Sequence, residues 1–162
     1  MLESELSVMK PRVYVETTIL SYLAARPTSQ PVAAARQLIT RQWWEREKDK
    51  YVLLISEVVE TECEQGDPIA IARRREYLKG LSLFPIDGVI LELARRLVVP
   101  GAIPEKAAPD AIHIAAAAVT QCEFLLTWNF RHIANVHIRR EVERILAIHG
   151  YKTTICTPEE LL

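Results

Sequence analysis

Four oxygen-bearing side chains of this chain have the type and placement to do chemistry: Glu16, Glu62, Asp110 and Asn129. Glu16 closes the apolar run Val13-Tyr14-Val15, and Glu62 follows Ser56 by six residues. Asp110 precedes the most apolar stretch of the chain, since residues 111–119 are all Ala, Ile or Val apart from His113. Asn129 lies in Thr127-Trp128-Asn129, just past the run Phe124-Leu125-Leu126. Magnesium and manganese are hard cations that prefer oxygen ligands. Carboxylates from separate elements can hold such an ion and leave positions open for water and a phosphate oxygen. The ion then polarises the phosphate and acidifies the water that attacks it. Without a cation, gathered carboxylates repel, and at least one pKa rises.

Each residue also has a plain structural explanation. An acid in the first turn of an apolar helix gains from the helix dipole, so Asp110 can be a cap and nothing more. Glu16 can be a surface acid at a strand end, and Glu62 an exposed helix acid. Glu60 competes with Glu62, but two residues are about 200° apart around a helix, so both cannot face one site.

The elements that must position these groups alternate. Residues 12–15 and 51–55 read as short strands, the second an apolar run too short for a helix. Further strands fall at 82–86, 123–127 and 153–156. Helical patterns cover residues from 17 or 18 to 23, with Thr17 or Thr18 as cap, and from 32 to about 48, with Ala35, Leu38, Ile39 and Trp43 on one face. Ser56 caps a helix over 57–64. Gly66-Asp67-Pro68 ends it and starts another over 69–79. Others span 88–98, 110–120 and 136–149, the last an amphipathic helix of mixed charge closed by Gly150. Strands alternating with helices predict an α/β fold with a mostly parallel central sheet and helices on both faces. In such sheets, sites form where strands end and helices begin. Glu16, Asp110 and Asn129 obey that rule, and Glu62 must lean inward from its helix.

Composition sets the outer bounds. The 162 residues are 49 % hydrophobic and 25 % charged with net charge −1, the balance of an ordinary globular domain that needs no disulfide or structural metal. One domain is expected, with residues 1–10 as a loose leader. Any nucleic-acid binding must use a local basic patch. Cys63, Cys122 and Cys156 are odd in number and far apart, which predicts buried thiols in a reducing cytoplasm and no zinc site. No signal-peptide pattern or membrane-length apolar run is present. A cytoplasmic protein is therefore expected. There is no glycine-rich phosphate loop, which argues against a nucleotide-binding or small-molecule phosphatase site.

Taken together, Glu16 with Thr18, Ser56 with Glu62, Asp110 before its Ala-rich helix, and Thr127 with Asn129 make the sequence resemble the PIN-domain family, and within it the VapC-like ribonuclease toxins. The likeness runs from Val13 to the final Cys156-Thr157-Pro158-Glu159-Glu160-Leu161. It implies a PIN-like three-layer sandwich and magnesium- or manganese-dependent cleavage of RNA. It also implies a small antitoxin partner and a homodimer. Glu16, Glu62 and Asp110 would then hold the metal directly or through water, Asn129 would be a neutral ligand or orient a water, and Thr18 and Thr127 would fix these groups by hydrogen bonds. The sequence departs from the family twice: Glu16 stands where Asp is usual, and Asn129 replaces the last acid. The site then carries three negative charges, which favours one tightly bound ion and weakens a second. A PIN-like module that binds RNA or a protein without cutting is the alternative.

Secondary candidates surround these positions. Trp128 or Phe130 could stack a base, and Arg131 could hold a phosphate; a ring tucked under the sheet edge is the alternative. His132 is a candidate substrate contact and general acid. Arg12 and Arg26 flank the first motif and could reach substrate. His113 reads as a hydrogen-bonded core histidine rather than a ligand, Trp43-Trp44 as core or dimer contact, and Arg73-Arg74-Arg75 as a solvated run spread around its helix.

Overall fold

The computed structural model describes residues 9–162, so the leader expected over 1–10 lies almost wholly outside the described residues. In chain order the elements are β1 (Arg12–Val15), α1 (Thr17–Ala24), α2 (Pro31–Arg46), β2 (Val52–Ser56), α3 (Glu57–Cys63) and α4 (Pro68–Leu78). They continue with β3 (Ser82–Phe84), α5 (Gly88–Val98), α6 (Ala108–Val119), β4 (Phe124–Leu126), α7 (Val136–Ile148) and β5 (Thr154–Cys156). One five-stranded sheet has the order β3-β2-β1-β4-β5, and every neighbouring pair is parallel. The α/β class and parallel sheet expected from the alternating pattern are what the chain forms.

This strand order decides where chemistry can happen. The chain lays β2 and β3 on one side of β1, then crosses to lay β4 and β5 on the other. The order therefore reverses between β1 and β4, and the crevice beyond their C-terminal ends is the open position of such a sheet. β1 is the central strand, and Val13, Tyr14 and Val15 are all fully buried, as expected for a strand covered on both faces. In register, Val15 lies beside Leu126 and Tyr14 beside Leu54. Glu16, Ser56 and Thr127 consequently leave the sheet at the same edge.

Local chemistry sets the helix starts. Gln30, Asp67, Asp87 and Asn135 each cap the next helix by accepting a backbone N–H, and a proline follows the first two caps directly. The cap of α1 is Glu16, whose carboxylate accepts the Thr18 N–H at 3.0 Å, rather than Thr17 or Thr18 themselves. An acid one residue earlier reaches the same orphan donors and gains from the helix dipole. Gly66, which ends α3, sits at φ 102°, a conformation costly for any residue with a Cβ.

α2 differs from its expected apolar face. Gln37, Thr40 and Trp43 are the buried residues, whereas Ala35 and Leu38 are exposed. Tertiary bonds explain the polar pair: Gln37 donates to the Arg26 carbonyl at 2.8 Å, and Thr40 accepts the indole N–H of Trp128 at 2.8 Å. Neither bond has a periodic signature. α6 is buried as its composition demands, with Ala115, Ala116 and Ala117 wholly inaccessible, and small side chains let it lie close to the sheet.

All three cysteines are free and buried. Burial pushes the Cys63 thiol up to about 11 and that of Cys156 up to about 12, and raises Cys122 as well. At pH 8 about one Cys63 side chain in a thousand is thiolate, the reactive form. A thiol reagent should therefore label none of the three in native protein within minutes and all three in denaturant. Rapid native labelling would contradict this packing. Among the described residues no helix is long and apolar enough to cross a membrane.

Candidate active site

Glu16 is the anchor of the site. It is 3 % exposed, so its carboxylate must find partners inside the protein. One oxygen, Oε2, accepts the Thr18 N–H, the Thr18 hydroxyl and the Thr127 hydroxyl, the last at 2.9 Å. Both hydroxyls give their proton to Glu16 and accept another: Thr18 from the Trp128 N–H at 2.8 Å, Thr127 from the Asn129 N–H at 2.9 Å. The carboxylate thereby stitches the end of β1 to the segment leaving β4. Thr18 and Thr127 both hydrogen-bond Glu16 through their hydroxyls.

Glu62 reaches inward from α3. Its Oε1 accepts the Thr17 hydroxyl at 3.1 Å and contacts His113 Nε2. Glu60, its rival, is exposed. His113 is fully buried on α6, and its Nδ1 lies 2.6 Å from the Tyr14 hydroxyl, which is 2.8 Å from Ser56 Oγ. His113 is the hydrogen-bonded core histidine expected, and it also touches the site.

Asp110 sits in the first turn of α6 and caps nothing; the N-cap position is Ala107, which makes no side-chain cap. Its oxygens serve elsewhere. Oδ1 accepts the Asn129 amide N–H at 3.1 Å, and Oδ2 accepts His132 Nδ1–H at 2.9 Å. Asn129 Oδ1 accepts the backbone N–H of His132 at 3.1 Å. Asn129 thus bonds through both ends of its amide, clamping the β4–α7 turn onto Asp110.

The three acids share one field centred on His113. Burial raises the Glu16 carboxyl above its ordinary value, although His113 and the two threonines oppose this. Burial also raises Asp110, which His113 and His132 counter and Glu62 reinforces. Burial alone would raise Glu62, but the His113 contact and the Thr17 hydroxyl together bring it below the ordinary range. Burial would lower His113, yet the Glu62 bond and the fields of Glu16, Glu62 and Asp110 raise it instead. The Glu62 and His113 shifts agree, as a close acid–base pair requires.

These donors can be tested against a hard divalent cation. Among the described residues Glu16 Oε1 and Glu62 Oε2 accept no hydrogen bond, and neither is a buried atom lacking a partner. Two carboxylate oxygens are therefore left without a protein partner among the described residues and available to an ion. Asp110 has both oxygens engaged, and among the described residues no three His, Cys, Asp or Glu side chains group closely enough to hold an ion. Hard carboxylate oxygens are the donor type that Mg²⁺ or Mn²⁺ takes, and Glu16 and Glu62 are the residues with an unengaged oxygen that would hold such an ion.

The secondary candidates divide. His132 is in the site. Trp128 is 5 % exposed, donates its indole N–H to Thr40, and meets Tyr22 edge-on at 6.2 Å; it is a core ring and offers no face for a base. Phe130, at 37 % exposure, does. Arg131 is exposed beside His132. Arg12 begins β1, about 10 Å of strand from Val15 and at the far edge of the sheet. Arg26 lies beyond the end of α1, in a cleft with Asp67 and Arg73. The structure brings neither arginine to the carboxylates. Two residues went unnoticed in the sequence. Tyr14 could have been flagged, because a hydroxyl inside a fully buried strand needs a partner. Arg36, whose guanidinium lies 5.4 Å from the Trp128 ring and 5.0 Å from that of Phe130, carried no signal.

No family model and no curated protein matches the chain. Solved structures do. A chain of VapBC2 from Rickettsia felis, in a crystal structure bound to a DNA fragment from its promoter, aligns over 90 % of this chain and 98 % of its own, with a TM-score of 0.59 at 15 % identity. VapC20 from Mycobacterium tuberculosis, described as a toxin that cleaves the sarcin–ricin loop, aligns over 86 % and 95 % with a TM-score of 0.55 at 14 % identity. At such identity the likeness is one of fold: the chain has a VapC-like PIN-domain fold.

Proposed function

We propose that this VapC-like PIN fold is a metal-dependent endoribonuclease, the toxin of a toxin–antitoxin pair acting in the cytoplasm. The carrying observation is the hydrogen-bond network that gathers the acids at the C-terminal edge of the sheet: Thr127 and Asn129 join Glu16 to Asp110, and Thr17 and His113 hold Glu62. The likeness to a toxin described as cleaving the sarcin–ricin loop supports RNA as substrate, and the VapBC2 likeness supports an antitoxin partner. A second copy of the chain completes the proposed assembly.

A bound Mg²⁺ or Mn²⁺ would polarise a phosphodiester and lower the pKa of a coordinated water. The chain's own residues do the rest. Glu16 Oε1 and Glu62 Oε2 are left unbonded and would supply negative charge, while their other oxygens are fixed by threonines and His113. Asp110, held by Asn129 and His132, would meet such an ion through water rather than directly. His132 and Arg131 offer donors to the phosphate on the loop side. Phe130 presents a ring for a base, with Arg36 behind it.

Purified, partner-free protein should cut RNA with Mn²⁺ and lose that activity in EDTA. Cleavage unchanged in EDTA would remove the metal reading. A second reading, a PIN module that binds RNA without cutting, is favoured by Asp110 having both oxygens engaged. RNA binding without cleavage at any Mn²⁺ concentration would select it.

The aromatic pair gives a separate expectation. Stacking of one base contributes about 1–3 kcal/mol. Phe130→Ala should weaken RNA binding roughly fivefold or more and leave the melting temperature nearly unchanged. Trp128→Ala should lower the melting temperature, because it removes a core ring and orphans the Thr40 contact. Filter binding and thermal melts of both variants check this. Equal effects on both readouts would sink the assignment.

A further inference from the structure

We infer that Tyr14 and His113 are positioning residues that fix the Glu62 carboxylate through a buried chain of hydrogen bonds closing on the helix that carries it. The inference rests on the metal-dependent reading of the site. The chain starts at Ser56 Oγ, which accepts the Val58 N–H at 3.2 Å and so caps α3. It passes to the Tyr14 hydroxyl at 2.8 Å, then to His113 Nδ1 at 2.6 Å, and leaves from Nε2 to Glu62 Oε1 in the last turn of α3. Both ends of α3 are therefore tied to one another through β1 and α6.

Donor logic fixes the direction. A carboxylate only accepts, so Nε2 must carry the proton that faces Glu62. Nδ1 is taken by Tyr14, so the ring cannot turn over without losing both bonds. Tyr14 has little freedom either: it is fully buried, packs 6.1 Å from Phe84 and meets the His113 ring edge-on at 5.7 Å. Its hydroxyl pKa is raised, first by burial, so it stays a phenol.

Such a device has work to do here. α3 has only seven residues, and an isolated helix of that length does not hold itself. Glu62 has 34 % of its side chain exposed, which would allow several rotamers. Thr17 and His113 select the rotamer that leaves Oε2 outward. Tyr14 acts on Glu62 only through His113 and touches no open oxygen of the site.

The test uses the full chain as wild type, Tyr14→Phe, His113→Ala and His113→Gln, read by Mn²⁺ affinity, thermal midpoint in EDTA, and ¹⁵N NMR of the His113 ring in metal-free protein. Tyr14→Phe and His113→Ala should weaken Mn²⁺ binding by about 10- to 100-fold, the usual effect of losing a ligand's supporting partner. His113→Gln, whose terminal amide can donate to Glu62, should recover most of that loss. The wild-type spectrum should show a slowly exchanging Nε2 proton that exchanges faster in Tyr14→Phe. A folded Tyr14→Phe with a lower midpoint but unchanged Mn²⁺ affinity would reduce the chain to core packing and overturn the inference. If the wild type itself binds no Mn²⁺, the metal reading fails by itself. The ring spectrum then decides: no Nε2 proton in the wild type, or one unaffected by Tyr14→Phe, overturns the positioning role independently. If His113→Ala does not fold, Tyr14→Phe carries the comparison.

Discussion

Asp110→Asn should abolish RNA cleavage while leaving a folded protein. The loss expected is more than about 100-fold, because removing an outer partner of a metal ligand already costs about 10- to 100-fold and Asp110 contributes charge directly to the site. The stability cost should be small. Asparagine keeps the shape and can still accept from His132. Its new amide N–H₂ would face the Asn129 amide, so one hydrogen bond at 3.1 Å becomes a donor–donor contact. That is worth about 0.5–1.5 kcal/mol. Cleavage assays in Mn²⁺ beside urea denaturation separate the two effects. Glu60→Gln is the matched control, since Glu60 is an exposed acid on the same helix as Glu62, and it should cleave like wild type. Cleavage surviving Asp110→Asn would mean that the acids of this edge are not the reactive site.

The largest stability effect should come from Trp43→Ala. Trp43 is fully buried on α2 and stacks on Tyr51 at 5.9 Å, and Tyr51 meets Phe124 edge-on. Removing the indole leaves a cavity and costs about 3–5 kcal/mol, a large share of the ~5–15 kcal/mol that holds a typical domain. Trp43→Phe should cost much less. The indole Nε1–H has no hydrogen-bond partner among the described residues, and a buried unsatisfied donor itself costs about 1–3 kcal/mol. Phenylalanine removes that penalty and retains most of the apolar contact. The shift in urea midpoint for both variants tests the argument, and equal losses would show that the indole N–H finds a partner after all.

How far the sequence could be read depended on the range of the forces involved. α5 was legible to the residue, 88–98, because Pro100-Gly101, which closes it, is a local signal. The short strands were legible as runs, and their ends moved by one or two residues where neighbouring strands stop. The buried face of α2 was not legible, since Gln37 and Thr40 are buried by bonds to Arg26 and Trp128 that have no periodic signature. Trp128 and Phe130 looked equivalent in the loop. Only the docking of Thr40 beneath one of them made Trp128 core and left Phe130 exposed.

The sequence alone determined which groups were available: three acids, an amide and two threonines at strand ends and helix starts, with a helix of alanines small enough to bury beside a sheet. It also determined that the sheet would be parallel, because strands alternated with helices. The tertiary structure decided which oxygens remain open. Glu16 meets Thr127 across 111 residues of chain, and the reason is strand order: β4 lies beside β1, so their ends share one crevice. That order is a property of the whole sheet. With it came the engagement of both Asp110 oxygens and one unbonded oxygen each on Glu16 and Glu62, since a hydrogen bond is fixed by distances of a few ångströms that spacing along a chain does not set.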